Sequence, residues 1–261
     1  MPGFDIGSLL NFEPARYHCE RCFGLLKKTP THFTSKTNPM CPICELTYIA
    51  TDTFSASEMD KYLEHMGCAI QIENIFEHCK NLATIGLRVR SLELTNEAHP
   101  PETYPPLRGL FEALNQARQF VHFTSYGISH QLIGALKLAA QRVNVRALIS
   151  GIDEPTKRKL EDFKEEAPRF TVRTFSADNH WKEIPHQKLM VIDGLLAFKG
   201  SANLTLNAWR KAAEGLELLE VVSDVEEVIS LHNKYFSPIW IASATQDWEK
   251  EPAIEMHDYP W

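Results

Sequence analysis

The sequence predicts an α/β protein in which a mixed sheet is flanked by helices and preceded by a small cysteine-rich module. Apolar stripes at helical spacing alternate with short apolar runs across residues 105–242, as in a parallel or mixed sheet with helices on both faces. The apolar run LMVI at 189–192 is continuous, which is typical of a strand buried on both faces. Four cysteines near the N-terminus form two C-x2-C pairs, a spacing that indicates metal binding.

The cysteine-rich module is expected to occupy residues 1–50, and eighteen residues separate its two C-x2-C pairs. Each pair can give two thiolates to a tetrahedral ion, so the module resembles a zinc ribbon. Disulfides are the alternative, but no secretion signal precedes them, and a reducing compartment favours metal binding. Four thiolates close the coordination sphere, so we expect a structural Zn2+. The expected ligands are Cys19, Cys22, Cys41 and Cys44.

The same module is basic, with a net charge of +4 between residues 14 and 40. Aromatic side chains lie among the cations, which is typical of contact with a nucleic-acid backbone. The alternative is that the module only pins the N-terminus to the main domain or to a dimer partner. The candidate nucleic-acid contacts are Arg16, Arg21, Lys27, Lys28 and Lys36.

Residues 51–104 are predicted to form a helical connector that ends in an edge strand. Apolar residues recur at helical spacing across 54–84 with a break at Gly67, whereas residues 85–94 alternate as a half-buried strand does. A proline-rich segment then separates the connector from the main domain. Two cysteines and two histidines are interpreted as buried thiols and surface imidazoles rather than a second metal site. They are Cys68, Cys79, His65 and His78.

The main domain is expected to cover residues 105–242, and an acidic tail to cover 243–261. The predicted order is helix 107–117, strand 120–128, helix 129–143, strand 145–149, helix from 156, strand 170–175, strand 186–192, strand 195–198, helix 204–213, strand 216–222 and helix 224–236. The tail contains two prolines, and we expect a flexible arm or a segment that docks a partner protein.

The overall composition is ordinary for a soluble globular protein, with 44% hydrophobic and 23% charged residues. No apolar run approaches the ~18 residues that span a bilayer, so a cytoplasmic protein is expected. The net charge of −7 argues at first against a polyanionic substrate. However, residues 214–261 hold eleven acids against two lysines, so the preceding 213 residues carry a net charge of +2.

The most specific pattern is the stretch HQKLMVIDGLLAFKGSAN, which contains H-x-K-x4-D followed by G-S-x-N. In a strand, side chains two residues apart point the same way, so His186 and Lys188 should emerge together, about 6 to 7 Å apart. Gly200 permits an unusual turn or a close approach to a ligand, and Ser201 and Asn203 add a hydroxyl and an amide. A nucleophile or proton carrier beside a cation and neutral hydrogen-bonding groups predicts a reactive anion site. A phosphate would fit it.

These residues resemble the signature of the phospholipase D superfamily of phosphodiesterases, and the order of elements across 105–241 is similar to one half of that fold. The resemblance implies that His186 attacks phosphorus and forms a phosphohistidine, which water then hydrolyses. Lys188 and Asn203, with Ser201 assisting, would bind the phosphoryl oxygens. No catalytic metal is therefore implied.

Family members use two such motifs, whereas this chain contains one H-x-K-x4-D. The resemblance therefore implies a homodimer with one composite active site, in which the second His186 protonates the leaving oxygen. The family also has an acid after G-S-x-N that holds the nucleophile's other ring nitrogen. Glu217 matches it best, with Glu214 and Glu220 as alternatives. Asp193 closes the buried strand and is interpreted as a structural or charge-relay partner.

The signature does not choose among lipid hydrolases, phospholipid synthases and nucleases. The basic module, the single compact motif and the lack of a membrane segment favour a nucleic-acid substrate. We therefore expect an endonuclease that cleaves DNA or RNA, similar to single-motif relatives in prokaryotic defence or restriction. A cytosolic lipid phosphodiesterase is the alternative. A non-catalytic nucleic-acid-binding subunit is disfavoured because the motif residues are intact.

Overall fold

The structure is a computed structural model that describes residues 12–29, 40–45, 48–49, 56–93, 105–150, 154–174, 186–243 and 254–255. Its strands are β1 (Tyr17–His18), β2 (Leu25–Leu26), β3 (Tyr48–Ile49), β4 (Phe120–Ser125), β5 (Asn144–Ile149), β6 (Phe170–Thr174), β7 (Lys188–Ile192), β8 (Leu196–Gly200), β9 (Leu219–Val222) and β10 (Ile254–Glu255). Its helices are α1 (Ala56–His65), α2 (Ile75–Glu93), α3 (Pro105–Gln116), α4 (His130–Ala140), α5 (Glu154–Glu166), α6 (Leu206–Ala213), α7 (Val225–Tyr235) and α8 (Ser237–Ala242). None of these helices is long and apolar enough to span a lipid bilayer.

The described strands of the main domain form one six-stranded sheet in the order β6-β5-β4-β7-β8-β9. β4, β5 and β6 are parallel, whereas β7, β8 and β9 are antiparallel to their neighbours. Parallel neighbours need a crossover connection, and α4 and α5 provide it here. The predicted α/β class with a mixed sheet is confirmed.

Helices pack on this sheet and bury its central strands. α2 contacts β8 and β9, α4 contacts β5 and β6, and α7 contacts β7 and β8. All six residues of β4 and all five of β7 are buried, as the continuous apolar run at 189–192 predicts. The start of β7, where the sequence motif lies, is therefore held between two strands in a packed interior.

The strand predicted at 85–94 is wrong, because α2 continues through this segment to Glu93. Ile85 and Val89 are buried, whereas Leu87 is 40% exposed. A strand would place these three side chains on one face, but a helix turns the middle one away from the other two. The short alternation of apolar and polar residues fits both the helical and the strand period. Packing of α2 against α3 and the sheet stabilises the helix.

The N-terminal module is packed into the main domain. Phe23, which lies between two of the cysteines, contacts Trp240 with 5.6 Å between ring centres. The guanidinium of Arg146 lies 3.7 Å from the centre of the Phe23 ring, a cation–π contact. The side-chain amide of Asn233 accepts the backbone N–H of Leu25 at 2.7 Å and donates to its carbonyl at 2.9 Å. These contacts pin the N-terminal segment to β5, α7 and α8.

A buried chain of hydrogen bonds continues from Arg146 into the main domain. Arg146 Nη1 lies 3.1 Å from His122 Nε2, and His122 Nδ1 lies 2.8 Å from His232 Nε2. A guanidinium can only donate, so His122 accepts at Nε2 and donates from Nδ1 to His232. Burial lowers the pKa of both imidazoles, that of His232 to about 3. Both rings are therefore neutral near pH 7, and they link β5, β4 and α7.

Only a small part of the acidic tail lies within the described residues. Ile254–Glu255 pair in parallel with Tyr48–Ile49. The expected flexibility and partner docking of the rest of the tail fall outside the described residues.

Candidate active site

The first half of the motif lies at the start of β7. His186 precedes the strand and is exposed, whereas Lys188 opens it and is only 7% exposed. Lys188 Nζ lies 2.7 Å from His186 Nδ1 and also donates to the carbonyl oxygen of His186. Because an ammonium only donates, Nδ1 accepts this bond. The imidazole Nε2 has no hydrogen-bond partner among the described residues, so it can meet a substrate.

The electrostatics of Lys188 suit an anion. Burial lowers the pKa of its ammonium, and the carboxylate of Glu217 opposes this shift. A cation that has lost part of its hydration interacts more strongly with an anion than one in bulk water. Lys188 is therefore suited to hold a phosphoryl oxygen next to His186.

Strand pairing brings the second half of the motif to the first. Lys188 is opposite Gly200 in the antiparallel register of β7 and β8, so the polar residues of G-S-x-N follow at the edge where His186 lies. A Cβ at Gly200 would lie 2.0 Å from the carbonyl oxygen of Leu218. The close approach expected at Gly200 is thus an approach to protein backbone, and it brings the loop before β9 against the site.

Ser201 and Glu217 form a hydrogen-bonded pair in this loop region. Ser201 Oγ donates to the Glu217 carboxylate and accepts a backbone N–H at 2.9 Å. The resemblance implied that Glu217 holds a ring nitrogen of His186, but here Lys188 occupies Nδ1 and Glu217 bonds Ser201. β9 begins at Leu219 rather than at 216, so strand alternation does not set the direction of the Glu217 side chain. Glu217 therefore orients the hydroxyl of Ser201 and stabilises the positive charge of Lys188.

Asn203 is oriented by the loop after β4. Its Oδ1 accepts the backbone N–H of Tyr126 at 3.2 Å, and its carbonyl accepts the indole N–H of Trp209 at 2.7 Å. With Oδ1 engaged, the amide donors on Nδ2, which bond to no other described residue, are available to an anion. The sequence did not single out Tyr126, because the strand predicted at 120–128 includes it, whereas β4 ends one residue before it.

Asp193 lies at the other end of β7, five residues or about 16 Å along the strand from Lys188 and farther still from His186. It is 2% exposed and has a φ of 54°, a conformation that aspartate tolerates better than most residues. Its carboxylate accepts the backbone N–H groups of residues 118–120 and bonds His78 Nε2 at 2.8 Å. His78 is 1% exposed, so its predicted surface position is wrong. Asp193 therefore joins α2, β4 and β7 through its buried carboxylate.

Replacing Asp193 with asparagine is expected to lower the free energy of unfolding by about 3 kcal/mol, because an amide NH2 would face buried donors. Urea denaturation would measure this loss. Cleavage per folded molecule should fall less than about tenfold, since the carboxylate is remote from His186.

The matched control for this substitution is Asp224→Asn, at the N-cap of α7, where the side chain accepts one N–H and is exposed. Asparagine is an equally good cap, so a change below about 0.5 kcal/mol is expected. If folded Asp193→Asn is as inactive as a variant without the His186 imidazole, a charge-relay role is indicated instead.

Among the described residues, His186 is the histidine that is hydrogen-bonded to Lys188. Three further histidines are at most 1% exposed and are engaged in hydrogen bonds elsewhere: His78, His122 and His232. They cannot supply a second proton carrier to this site. The described hydrogen bonds therefore place one histidine, His186, on Lys188, whereas the resemblance implies two histidines at the site.

The four predicted cysteine ligands come together in the N-terminal module. Their sulfur atoms lie within 4.8 Å of one another, with 3.6 Å between Cys19 and Cys44 and 3.9 Å between Cys22 and Cys41. Zn–S bonds of about 2.3 Å in a tetrahedron place sulfurs about 3.8 Å apart. The set therefore fits a zinc ion, and with four thiolates it leaves no open position for a substrate.

The predicted nucleic-acid contacts of the module differ in their surroundings. Lys27 forms an ion pair with Glu226 in the first turn of α7, and Arg21 is partly buried. Two further cations are exposed, Arg16 and Lys28, and Lys36 lies outside the described residues. Contact with the acidic start of α7 therefore offsets part of the positive charge of the module.

Comparisons with known proteins concern the main domain. A family model described as cardiolipin synthase, PLD-like domain, matches residues 110–240. The chain is similar to the structure of NucT from Helicobacter pylori, with 24% identity, 52% of this chain and 88% of that chain covered, and a TM-score of 0.43. It is also similar to Nuc from Salmonella typhimurium, a phospholipase D family member, with 21% identity, 56% and 88% coverage, and a TM-score of 0.38. No curated protein matches the chain. The residues matched by the family model include the whole candidate active site.

Proposed function

The chain belongs to the phospholipase D superfamily, because a PLD-like domain spans half of it, and we propose that it is a metal-independent endonuclease that cleaves DNA or RNA. The contact between His186 and Lys188 at the edge where Asn203 is oriented carries this proposal. It combines a nucleophile, a cation and a neutral donor, which are the groups that phosphoryl transfer requires.

In the first step, a phosphate draws Lys188 away from Nδ1 of His186, so that Nδ1 can carry the ring proton and Nε2 presents its lone pair. Nε2 forms a bond to phosphorus while the bond to the leaving oxygen breaks. Lys188 and the amide of Asn203 stabilise the negative charge that develops on the phosphoryl oxygens. Glu217 acts indirectly, as it orients the hydroxyl of Ser201 and supports the charge on Lys188.

The second histidine comes from an identical subunit. His186 of the partner subunit donates its proton to the leaving alcohol and later accepts a proton from the water that attacks the phosphohistidine. The P–N bond then breaks, and a phosphomonoester and free His186 result. A homodimer with a twofold interface at the start of β7 supplies both histidines to one site.

A nucleic-acid substrate is supported by the net charge of +4 in the N-terminal module, where Arg16 and Lys28 are exposed. A cytoplasmic setting in prokaryotic defence or restriction belongs to the same proposal and follows from the single-motif resemblance. The second candidate is a phospholipid phosphodiesterase, which the description of the matching family as cardiolipin synthase favours.

Cleavage is expected to persist in EDTA during short assays, because Lys188 and Asn203 do the work of a metal ion and the proposed zinc is structural. The test compares single-stranded DNA, duplex DNA, RNA and anionic phospholipid vesicles, each with EDTA and with added magnesium. Abolition by EDTA that only magnesium reverses would contradict metal independence. If the protein cleaves no nucleic acid but hydrolyses the phospholipid, the second candidate is correct.

A further inference from the structure

Tyr126 is an exposed aromatic residue that the proposed mechanism does not use. It follows β4 directly, and it is 41% exposed. Its ring centre lies 5.6 Å from that of His186, with the two ring planes inclined at 52°. An aromatic surface is therefore present beside the histidine at which phosphorus would be attacked.

The backbone around Tyr126 is held by bonds that do not involve its side chain. Its N–H donates to Asn203 Oδ1 at 3.2 Å. Next to it, Ser125 Oγ donates to the carbonyl of Gly127 at 2.6 Å and accepts the N–H of Leu204 at 3.1 Å. These bonds join the loop after β4 to the loop after β8. Truncation of the Tyr126 ring should therefore leave the loop and the orientation of Asn203 in place.

We propose that Tyr126 is a stacking platform for the nucleobase next to the scissile phosphate, so that the site takes an unpaired strand. The inference rests on the proposed nuclease function and narrows its substrate to single-stranded nucleic acid. Aromatic side chains stack on bases with little sequence preference, because every base has a π-face. In a duplex both faces of a base are covered by its neighbours, so a base reaches Tyr126 only from an unpaired or unstacked strand.

The position of Tyr126 also favours a nucleic-acid substrate over a phospholipid. A nucleobase is attached through its sugar to the phosphate that His186 and Lys188 would hold, so it can lie over a ring adjacent to His186. A phospholipid headgroup has no planar ring to occupy that surface. Stacking would fix the orientation of the strand and hence the line of attack on phosphorus.

The test uses a short single-stranded oligonucleotide with one cleavable phosphodiester and methylphosphonates elsewhere. In a matched substrate, both nucleotides that flank the phosphodiester are abasic. The wild-type protein is expected to cleave the base-containing substrate about tenfold faster in kcat/KM. Tyr126→Ala should lose this preference by slowing only the base-containing substrate, whereas Tyr126→Phe should retain it.

Phe111→Ala is the matched control, because Phe111 is an aromatic residue of α3 that is 39% exposed and has no part in the site. It should keep the wild-type preference. If Tyr126→Ala also keeps the preference, or slows both substrates equally as loss of a dimer contact would, the stacking role is overturned while the nuclease function stands. If the wild-type protein cleaves neither oligonucleotide but cleaves duplex DNA, the stacking role and the single-stranded substrate are overturned while the nuclease function stands. If it cleaves no nucleic acid at all, the nuclease function fails and the stacking role fails with it.

Discussion

Replacement of His186 with alanine is expected to reduce cleavage at least about 10⁴-fold and to leave the fold intact. The imidazole is the proposed nucleophile, whereas the neighbouring hydroxyl of Ser201 is engaged with Glu217 and a backbone N–H. Its side chain is exposed, so its removal leaves no cavity in the core. Cleavage kinetics would measure the first effect, and a thermal unfolding curve would measure the second.

The control for this variant is His65→Ala, which removes an exposed imidazole at the end of α1 and should retain wild-type activity. Full activity of folded His186→Ala would exclude the proposed chemistry. Loss of activity in both variants would point to a nonspecific effect of removing exposed histidines.

The same variant tests whether two subunits share one active site, as proposed. A heterodimer of wild-type and His186→Ala subunits, purified through two different affinity tags, has one histidine in its single shared site. It should be nearly as inactive as the variant homodimer on a normal phosphodiester. Half of the wild-type activity would show that each subunit holds a complete site. A p-nitrophenyl ester needs no proton for its leaving group, so the heterodimer should still release one equivalent of p-nitrophenolate as the phosphohistidine forms.

Replacement of Cys41 with alanine is expected to abolish the proposed zinc binding and to destabilise the main domain as well as the module. Binding of structural zinc is worth about 10–16 kcal/mol in small modules, which is comparable to the whole stability of a domain, about 5–15 kcal/mol. The main domain should also lose stability, because Phe23 and Leu25 of the module contact Arg146 and Asn233 of the main domain. Metal content and the unfolding temperature of the main domain would measure the two losses.

Cys79→Ala is the matched control for this substitution. Cys79 is 4% exposed in the core of α2 and is not part of the four-sulfur cluster. Cys79→Ala should lower the free energy of unfolding by about 1 kcal/mol and leave the proposed zinc binding unchanged. If Cys41→Ala loses zinc but keeps the unfolding temperature and activity of the wild type, the module is an independent attachment whose contacts contribute little.

Much of the fold could be predicted because its central strands, β4 and β7, are fully buried. Such strands appear in the sequence as short segments rich in apolar residues, and the segments 120–125, 145–149 and 189–192 all lie within strands of the sheet. The segment 85–94 was harder, because ten residues of mixed apolar and polar type satisfy both a helical and a strand period. Only the contact of α2 with α3 and the sheet distinguishes the two.

The candidate site could be predicted where covalent spacing alone brings groups together. His186 and Lys188 are two residues apart at the start of one strand, so their contact follows from local geometry. Glu217 and Tyr126 reach the site through loops, and no periodicity determines where a loop side chain points. The Tyr126 ring beside His186 and the carboxylate on Ser201 therefore could not be read from spacing.

By itself, the sequence determined the motif, the mixed α/β sheet and the four-cysteine set, since each is encoded by residue type at fixed separation along the chain. Tertiary structure decided which groups meet across large separations. It placed Asp193 on His78 and three backbone amides, away from His186, and it set Phe23 of the cysteine module against Arg146. Such contacts depend on how buried donors, acceptors and rings find partners when the layers pack, and that is a property of the whole fold.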